Sequence, residues 1–156
     1  MRLTTRGEYA TMIVLELARC EGQGAVSAGR LAARTATPVK YLEQILLRLR
    51  AAGVVKAEKG VRGGYMLGHP SSELTVAQVI RLMDGPLAPK LCASRTAYMP
   101  CPSGRCASEQ ACVLRVLWLE VRDAISGVLD NTTFAELAER ERRLLSAGVQ
   151  AALPGG

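Results

Sequence analysis

Apolar residues recur at i, i+3, i+4 and i+7 through Ala10, Ile13, Val14 and Leu17, the spacing of one buried helical face. Thr5-x-x-Glu8, just ahead of that stripe, has the form of a capping box and sets the predicted start of a first helix. Glu21-Gly22-Gln23-Gly24 breaks the pattern, and Ser27 can cap a second, short helix over residues 28–34. After a turn at Thr35-Ala36, Thr37-Pro38 predicts a third start, with Thr37 as N-cap and proline at the first helical position. Leu42, Ile45, Leu46 and Leu49 give that third helix an apolar stripe, and Gly53 stops it after about residue 52. Lys40, Tyr41, Glu43, Gln44 and Arg48 fall largely on its other faces. Two helices joined by a short turn, the second polar near its N-terminus, match a helix-turn-helix.

Beyond Gly53 the pattern becomes that of a hairpin. Residues 54–58 and 65–67 read as strands around a glycine-rich, basic tip, Lys59-Gly60-Val61-Arg62-Gly63-Gly64. Directly after a helix-turn-helix, such a hairpin is the wing of a winged helix. Thr75-x-x-Gln78 caps a further helix whose Val76, Val79, Ile80 and Met83 face the core, and Gly85-Pro86 ends it. A long helix is predicted over about residues 109–129. Its Leu114, Trp118, Val121, Ile125 and Val128 keep a heptad spacing that predicts packing partly on its own domain and partly on a second copy, as a homodimer. Thr133-x-x-Glu136 caps a last helix to about residue 145, and the Ala/Pro/Gly tail beyond it is expected to fray. The fold class is thus mainly α with a small β-hairpin wing. Residues 1–85 form a winged helix-turn-helix DNA-binding domain, residues 86–112 a cysteine-rich loop, and residues 109–146 a dimerisation helix with a C-terminal helix.

The 156 residues suffice for about one domain, and 49% hydrophobic content is ample for its core. Net charge is +6, and its placement says more than its size. Residues 1–70 hold eleven Lys/Arg against five Asp/Glu, whereas residues 71–156 hold nine of each. The excess positive charge lies wholly in the half that carries the helix-turn-helix and wing, the electrostatic footprint of a polyanion binder. On this reading Tyr41, Glu43 and Gln44 are candidate readers of base edges in double-stranded DNA. Lys40, Arg48, Lys59 and Arg62 are candidate phosphate contacts. A two-fold dimer would read a pseudo-palindromic site with half-sites about one helical turn, ~34–36 Å, apart. The single histidine, His69, sits in a Gly-His-Pro turn with no acid–base constellation around it, which argues against an enzyme.

Cysteine usage adds a second chemistry. Four of five cysteines fall in one proline-rich stretch, as Cys92-x8-Cys101-x4-Cys106-x5-Cys112. No apolar run could span a membrane and nothing marks the chain for export, so it is expected in the cytoplasm, where stable disulfides are disfavoured. Structural zinc usually takes two tight Cys pairs, and only Cys101 and Cys106 come near that spacing. Four thiolates on an irregular loop also satisfy an iron–sulfur cluster, of either two or four irons. All three readings remain open on spacing alone. Cys20, distant in sequence from the rest, is read as a packing residue.

The opening Met1-Arg2-Leu3-Thr4-Thr5-Arg6-Gly7-Glu8-Tyr9-Ala10, the third-helix segment from Tyr41 to Arg50, Gly63-Gly64-Tyr65-Met66-Leu67-Gly68 and Leu129-Asp130-Asn131-Thr132-Thr133 together resemble the Rrf-two family of bacterial iron–sulfur winged-helix regulators, which includes IscR, NsrR and RirA. The resemblance covers nearly the whole chain. It implies a dimeric transcription factor that senses iron, redox or nitric oxide status through a cluster-binding loop beside a long dimerisation helix. By position, Cys92, Cys106 and Cys112 match the family's three-cysteine pattern. Where IscR-like members carry a histidine ligand three residues after the last cysteine, this chain has Arg115, which cannot ligate. Cys101 is the preferred fourth ligand, with Glu8 of the partner subunit as the alternative. A zinc-stabilised or thiol-based redox winged-helix regulator is the runner-up, and an iron–sulfur electron-transfer protein a more distant one, since it would leave the helix-turn-helix and wing without a purpose.

Overall fold

A computed structural model describes residues 3–101 and 108–147. The order of elements is α1 (Thr5–Arg19), α2 (Ala28–Thr35), α3 (Val39–Ala51), β1 (Val55–Glu58), β2 (Gly64–Leu67), α4 (Val76–Asp84), α5 (Val113–Leu129) and α6 (Phe134–Ser146), with a 3-10 turn at Leu91–Ala93. Helix α1 is the hub and packs against α2, α3, α4 and α6. Its Ala10, Ile13 and Val14 are completely buried, as the periodicity of the sequence requires.

The start of α1 differs from the predicted capping box. Thr4, not Thr5, is the N-cap, and its hydroxyl accepts the Gly7 N–H at 3.3 Å. Asp84, at the end of α4, accepts both the Thr4 N–H at 2.9 Å and the Thr4 hydroxyl. A carboxylate at this helix N-terminus is electrostatically favoured. A Cβ on Gly7 would crowd this carboxylate and force it to shift off the cap. A tertiary contact thus shifted the cap by one residue, and Glu8 is left exposed in the first turn.

A second correction concerns α3. Pro38 is its N-cap, with no side-chain capping bond, and Thr37 is buried. The Thr37 hydroxyl is spent on that of Thr35, 2.7 Å away, while Thr35 donates back to the Leu31 carbonyl. These bonds tie the turn between α2 and α3 internally, and Ala36 takes the left-handed conformation there. The stripe of Leu42, Ile45, Leu46 and Leu49 is buried as predicted.

The wing pairs Val55 with Leu67 through to Glu58 with Gly64 in an antiparallel register. The tip end of β2 is fixed by Val26, just before α2, which exchanges two 2.8 Å backbone hydrogen bonds with Tyr65. A side chain on Gly64 would meet the Val26 carbonyl at 2.4 Å. The wing is therefore one rigid piece with the start of α2. The capping boxes at Thr75/Gln78 and Thr133/Glu136 are both formed.

Helix α5 starts at Val113, about a turn later than predicted, with Cys112 at its N-cap. None of its residues is buried, although Ile125 and Leu129 pack against the core. Val113, Leu114, Val116, Leu117 and Val128 stand exposed. After α5 the chain returns to the body: the Phe134 N–H bonds the Leu74 carbonyl at 3.0 Å, its ring is fully buried, and α6 lies along α1. The tail predicted to fray lies from residue 148 onward, outside the described residues.

Candidate functional site

The first candidate surface is made by α3 and the wing. Burying one stripe of α3 leaves Lys40, Glu43, Gln44 and Arg48 exposed on the opposite side, and Lys59 and Arg62 exposed at the wing tip. Tyr41 is placed differently from the other candidates. Its ring is half-buried against the core and meets Tyr9 edge to face, with centroids 5.8 Å apart. Apolar residues also stand outward on α3: Val39 and Leu47 are 50% and 66% exposed. Polar patterning offers no sign of them, since an exposed leucine in a helical stripe resembles a core residue in sequence.

The second candidate surface is the cysteine loop. Leu87, Ala88, Ala93 and Ser94 are buried and fix its first half, and Cys92, Cys101 and Cys112 are half-buried. Cys106 lies outside the described residues. The three described cysteines are fastened to one short segment, residues 109–115. The Glu109 carboxylate accepts the Cys101 N–H at 3.0 Å and the Tyr98 hydroxyl at 2.7 Å. The Cys112 N–H reaches the Glu109 carbonyl, and Arg115 donates from Nε to the Cys92 carbonyl at 3.0 Å. Two turns further along α5, Arg122 holds the Ala93 carbonyl at 2.8 Å. The hydrogen bonds from Tyr98 and Cys101 hold the Glu109 carboxyl below its ordinary range, and the same carboxylate raises the Tyr98 phenol.

Of the four predicted cysteine ligands, the structure thus anchors three around the beginning of α5. Among the described residues, no three His, Cys, Asp or Glu side chains stand at metal-binding spacing. The donor chemistry nevertheless fits an iron–sulfur group. Half-buried cysteines whose backbones are tied to the start of α5 are soft donors of the kind such a group takes, close to a helix N-terminus that favours an anion. Tyr98, Glu109 and Arg122 are parts of this arrangement that spacing rules do not single out. Arg115, a cation in the first turn of α5 where the dipole favours acids, becomes a signal only once the structure places the start of α5 at Val113.

Cys20 stands apart. It is buried, its thiol donates to the Glu16 carboxylate at 3.7 Å, and burial followed by that negative charge pushes the thiol up. This is a packing position, as read from the sequence.

A helix-turn-helix braced by its wing, with a cysteine loop leading into a helix whose apolar residues stand largely exposed, defines a winged-helix transcriptional regulator. The chain belongs to the Rrf2 family, whose model, described as an iron-dependent transcriptional regulator, matches residues 3–140. It is 34% identical over 138 residues to the HTH-type transcriptional regulator CymR of Bacillus subtilis, covering 88% of this chain and 90% of that protein. It is 33% identical over 150 residues to IscR of Serratia proteamaculans, covering 96% and 87%. The solved structure of CymR, the global cysteine regulator of B. subtilis, superposes with a TM-score of 0.74 at 33% identity, over 90% of this chain and 98% of that one. That of T. potens IscR gives 0.68 at 27% identity, over 100% and 94%. These relatives are regulators, not enzymes. No helix among the described residues is long and apolar enough to cross a membrane.

Proposed function

We propose that this chain is a cytoplasmic, homodimeric DNA-binding regulator that reports iron, redox or nitric oxide status through an iron–sulfur cluster held by Cys92, Cys101, Cys106 and Cys112. The observation that carries the proposal is the fastening of the cysteine loop to the first turns of α5, a helix with an uncovered apolar face. Bound there, the group would supply a centre whose oxidation, nitrosylation or loss alters the charge and order of the loop. The chain's own residues would do the rest. Lys40, Glu43, Gln44 and Arg48 on α3 face the major groove of a pseudo-palindromic operator, and Lys59 and Arg62 reach phosphate beside it. The ring of Tyr41 supports α3 through Tyr9. The loop joins α4 to α5, and Arg81 of α4 bonds Asp130 at the end of α5 at 2.8 Å, so a change at the loop is felt at both ends of α5. If α5 pairs with a second copy, its setting fixes the spacing of the two reading heads. Coupling requires that the two states of the loop stabilise different spacings.

The test is an anaerobic purification with iron, sulfide and zinc analysis, followed by titration of operator DNA with loaded and unloaded protein at matched salt. A two-affinity result is expected, with brown iron-containing protein. Equal affinities would remove the switch, and protein lacking iron and sulfide after attempted reconstitution would remove the cluster. A thiol-based regulator is the second reading. It is favoured by the likeness to CymR. Thiol oxidation that changes DNA affinity in metal-free protein would support it.

A further inference from the structure

We infer that Arg115, acting with Glu109, is a positioning residue of the cysteine loop: its guanidinium holds the Cys92 backbone to α5, and Glu109 holds the Cys101 backbone to the same place. The inference deepens the proposed function and rests on it only for the metal-loaded arm of its test.

Five observations carry it. Arg115 Nε donates to the Cys92 carbonyl at 3.0 Å and stands 3.8 Å from a Glu109 carboxylate oxygen. That carboxylate is itself engaged by the Cys101 N–H and the Tyr98 hydroxyl. Arg122, seven residues after Arg115 and hence on the same helical face, takes the next carbonyl, that of Ala93. The two arginines therefore grip consecutive carbonyls of the 3-10 turn Leu91–Ala93. Arg115 also occupies the third position of α5, a first turn that contains no acidic residue and whose N-cap, Cys112, makes no side-chain capping bond. A cation there works against the helix dipole. Local helix chemistry gives no reason for it, and the tertiary contacts do. The side chains of Arg115 and Glu109 are 29% and 25% exposed, so their bonds form in a partly shielded setting.

Such a clasp orders the loop before any group is bound. It brings Cys92 and Cys101, nine positions apart in sequence, to one end of Cys112's helix. It also means that Arg115 gives the site geometry in place of a donor atom.

Amide hydrogen exchange of the full-length, unloaded protein, read by mass spectrometry on peptides covering residues 91–101, tests the clasp. In Arg115→Ala these amides should exchange roughly tenfold faster, the scale of one charge-assisted hydrogen bond, while peptides from residues 116–129 are unchanged. Arg115→Lys, which keeps one cationic donor, should recover part of the protection. In protein loaded with iron and sulfide, Arg115→Ala should shift the visible circular dichroism and lose iron to a chelator several-fold faster. Unchanged exchange in Arg115→Ala would overturn the clasp. Faster exchange with an unchanged spectrum and unchanged iron loss would overturn the positioning role. If the unsubstituted protein takes up no iron, that failure belongs to the proposed function, and the exchange arm alone decides whether the clasp exists.

Discussion

Glu16 is 1% exposed and lies between the guanidinium groups of Arg19 and Arg34, with Cys20 donating its thiol to the same carboxylate. Arg19 continues to Glu141, so the group links α1, α2 and α6. Burial alone would raise the Glu16 carboxyl, but the hydrogen bonds and charges of the two arginines outweigh it and leave it lowered. A carboxyl lowered by folding binds its proton more readily in the unfolded chain. Its contribution is therefore complete above the unfolded value, about pH 4.3, and is lost as pH falls through the folded value. Glu16→Gln removes the charge and keeps the shape. It should cost about 1–3 kcal/mol at pH 7, because both arginines can partly rehydrate. Thermal melts from pH 7 to pH 3 should show the gap between the two proteins closing at the acid end; a constant gap would mean the charge is not what matters. Nothing in the sequence marks Glu16 as buried except its position on the apolar side of α1. The caps show the same limit. Thr4 displaces Thr5 because Asp84, 80 residues away, fixes the Thr4 N–H and hydroxyl, and Pro38 displaces Thr37 because the Thr37 hydroxyl is engaged with that of Thr35.

Elements were far more legible than caps. The helical stripes of α1, α3 and α4 and the hairpin between Val55 and Leu67 follow from apolar period and glycine placement alone, because each element buries one face on the same core. The start of α5 was not legible. Residues 109–112 have helix-compatible composition, but there the chain is engaged with Cys101 and Cys112 in the loop instead. At the wing, Lys59 and Arg62 are exposed at a tip that begins where β2 is bonded to Val26. Replacing both with alanine should weaken DNA binding nearly equally for all sequences. It should also reduce the slope of log affinity against log salt by about 1–2, one unit or slightly less per lost phosphate contact. A loss confined to one sequence, with an unchanged slope, would instead make them base readers.

At the scale of the whole molecule, the fourth ligand of the proposed cluster and the proposed dimer become one question. Cys101 lies in the same chain as the other three cysteines, whereas Glu8 could serve only from a second copy. Glu8 is a stronger rival than its sequence context implies, since Thr4 caps α1 and leaves the Glu8 side chain exposed. A site completed within one chain survives separation of the subunits; a site completed across the dimer does not. Leu114 is 58% exposed and Val128 64% exposed, toward opposite ends of α5, and neither contributes to the core of its own chain. Leu114→Glu with Val128→Glu should therefore separate the subunits while leaving the fold intact. Losing the burial of one such side chain from each subunit costs on the order of 3–5 kcal/mol of association. If Cys101 is the ligand, that monomeric variant should retain iron and sulfide at the level of the unsubstituted protein, and Cys101→Ala alone should lose them. Retention by Cys101→Ala in the dimer, together with loss in the monomeric variant and in Glu8→Ala, would assign the ligand to the partner subunit's Glu8. In that case the cluster would itself hold the dimer together, and dilution would discharge it.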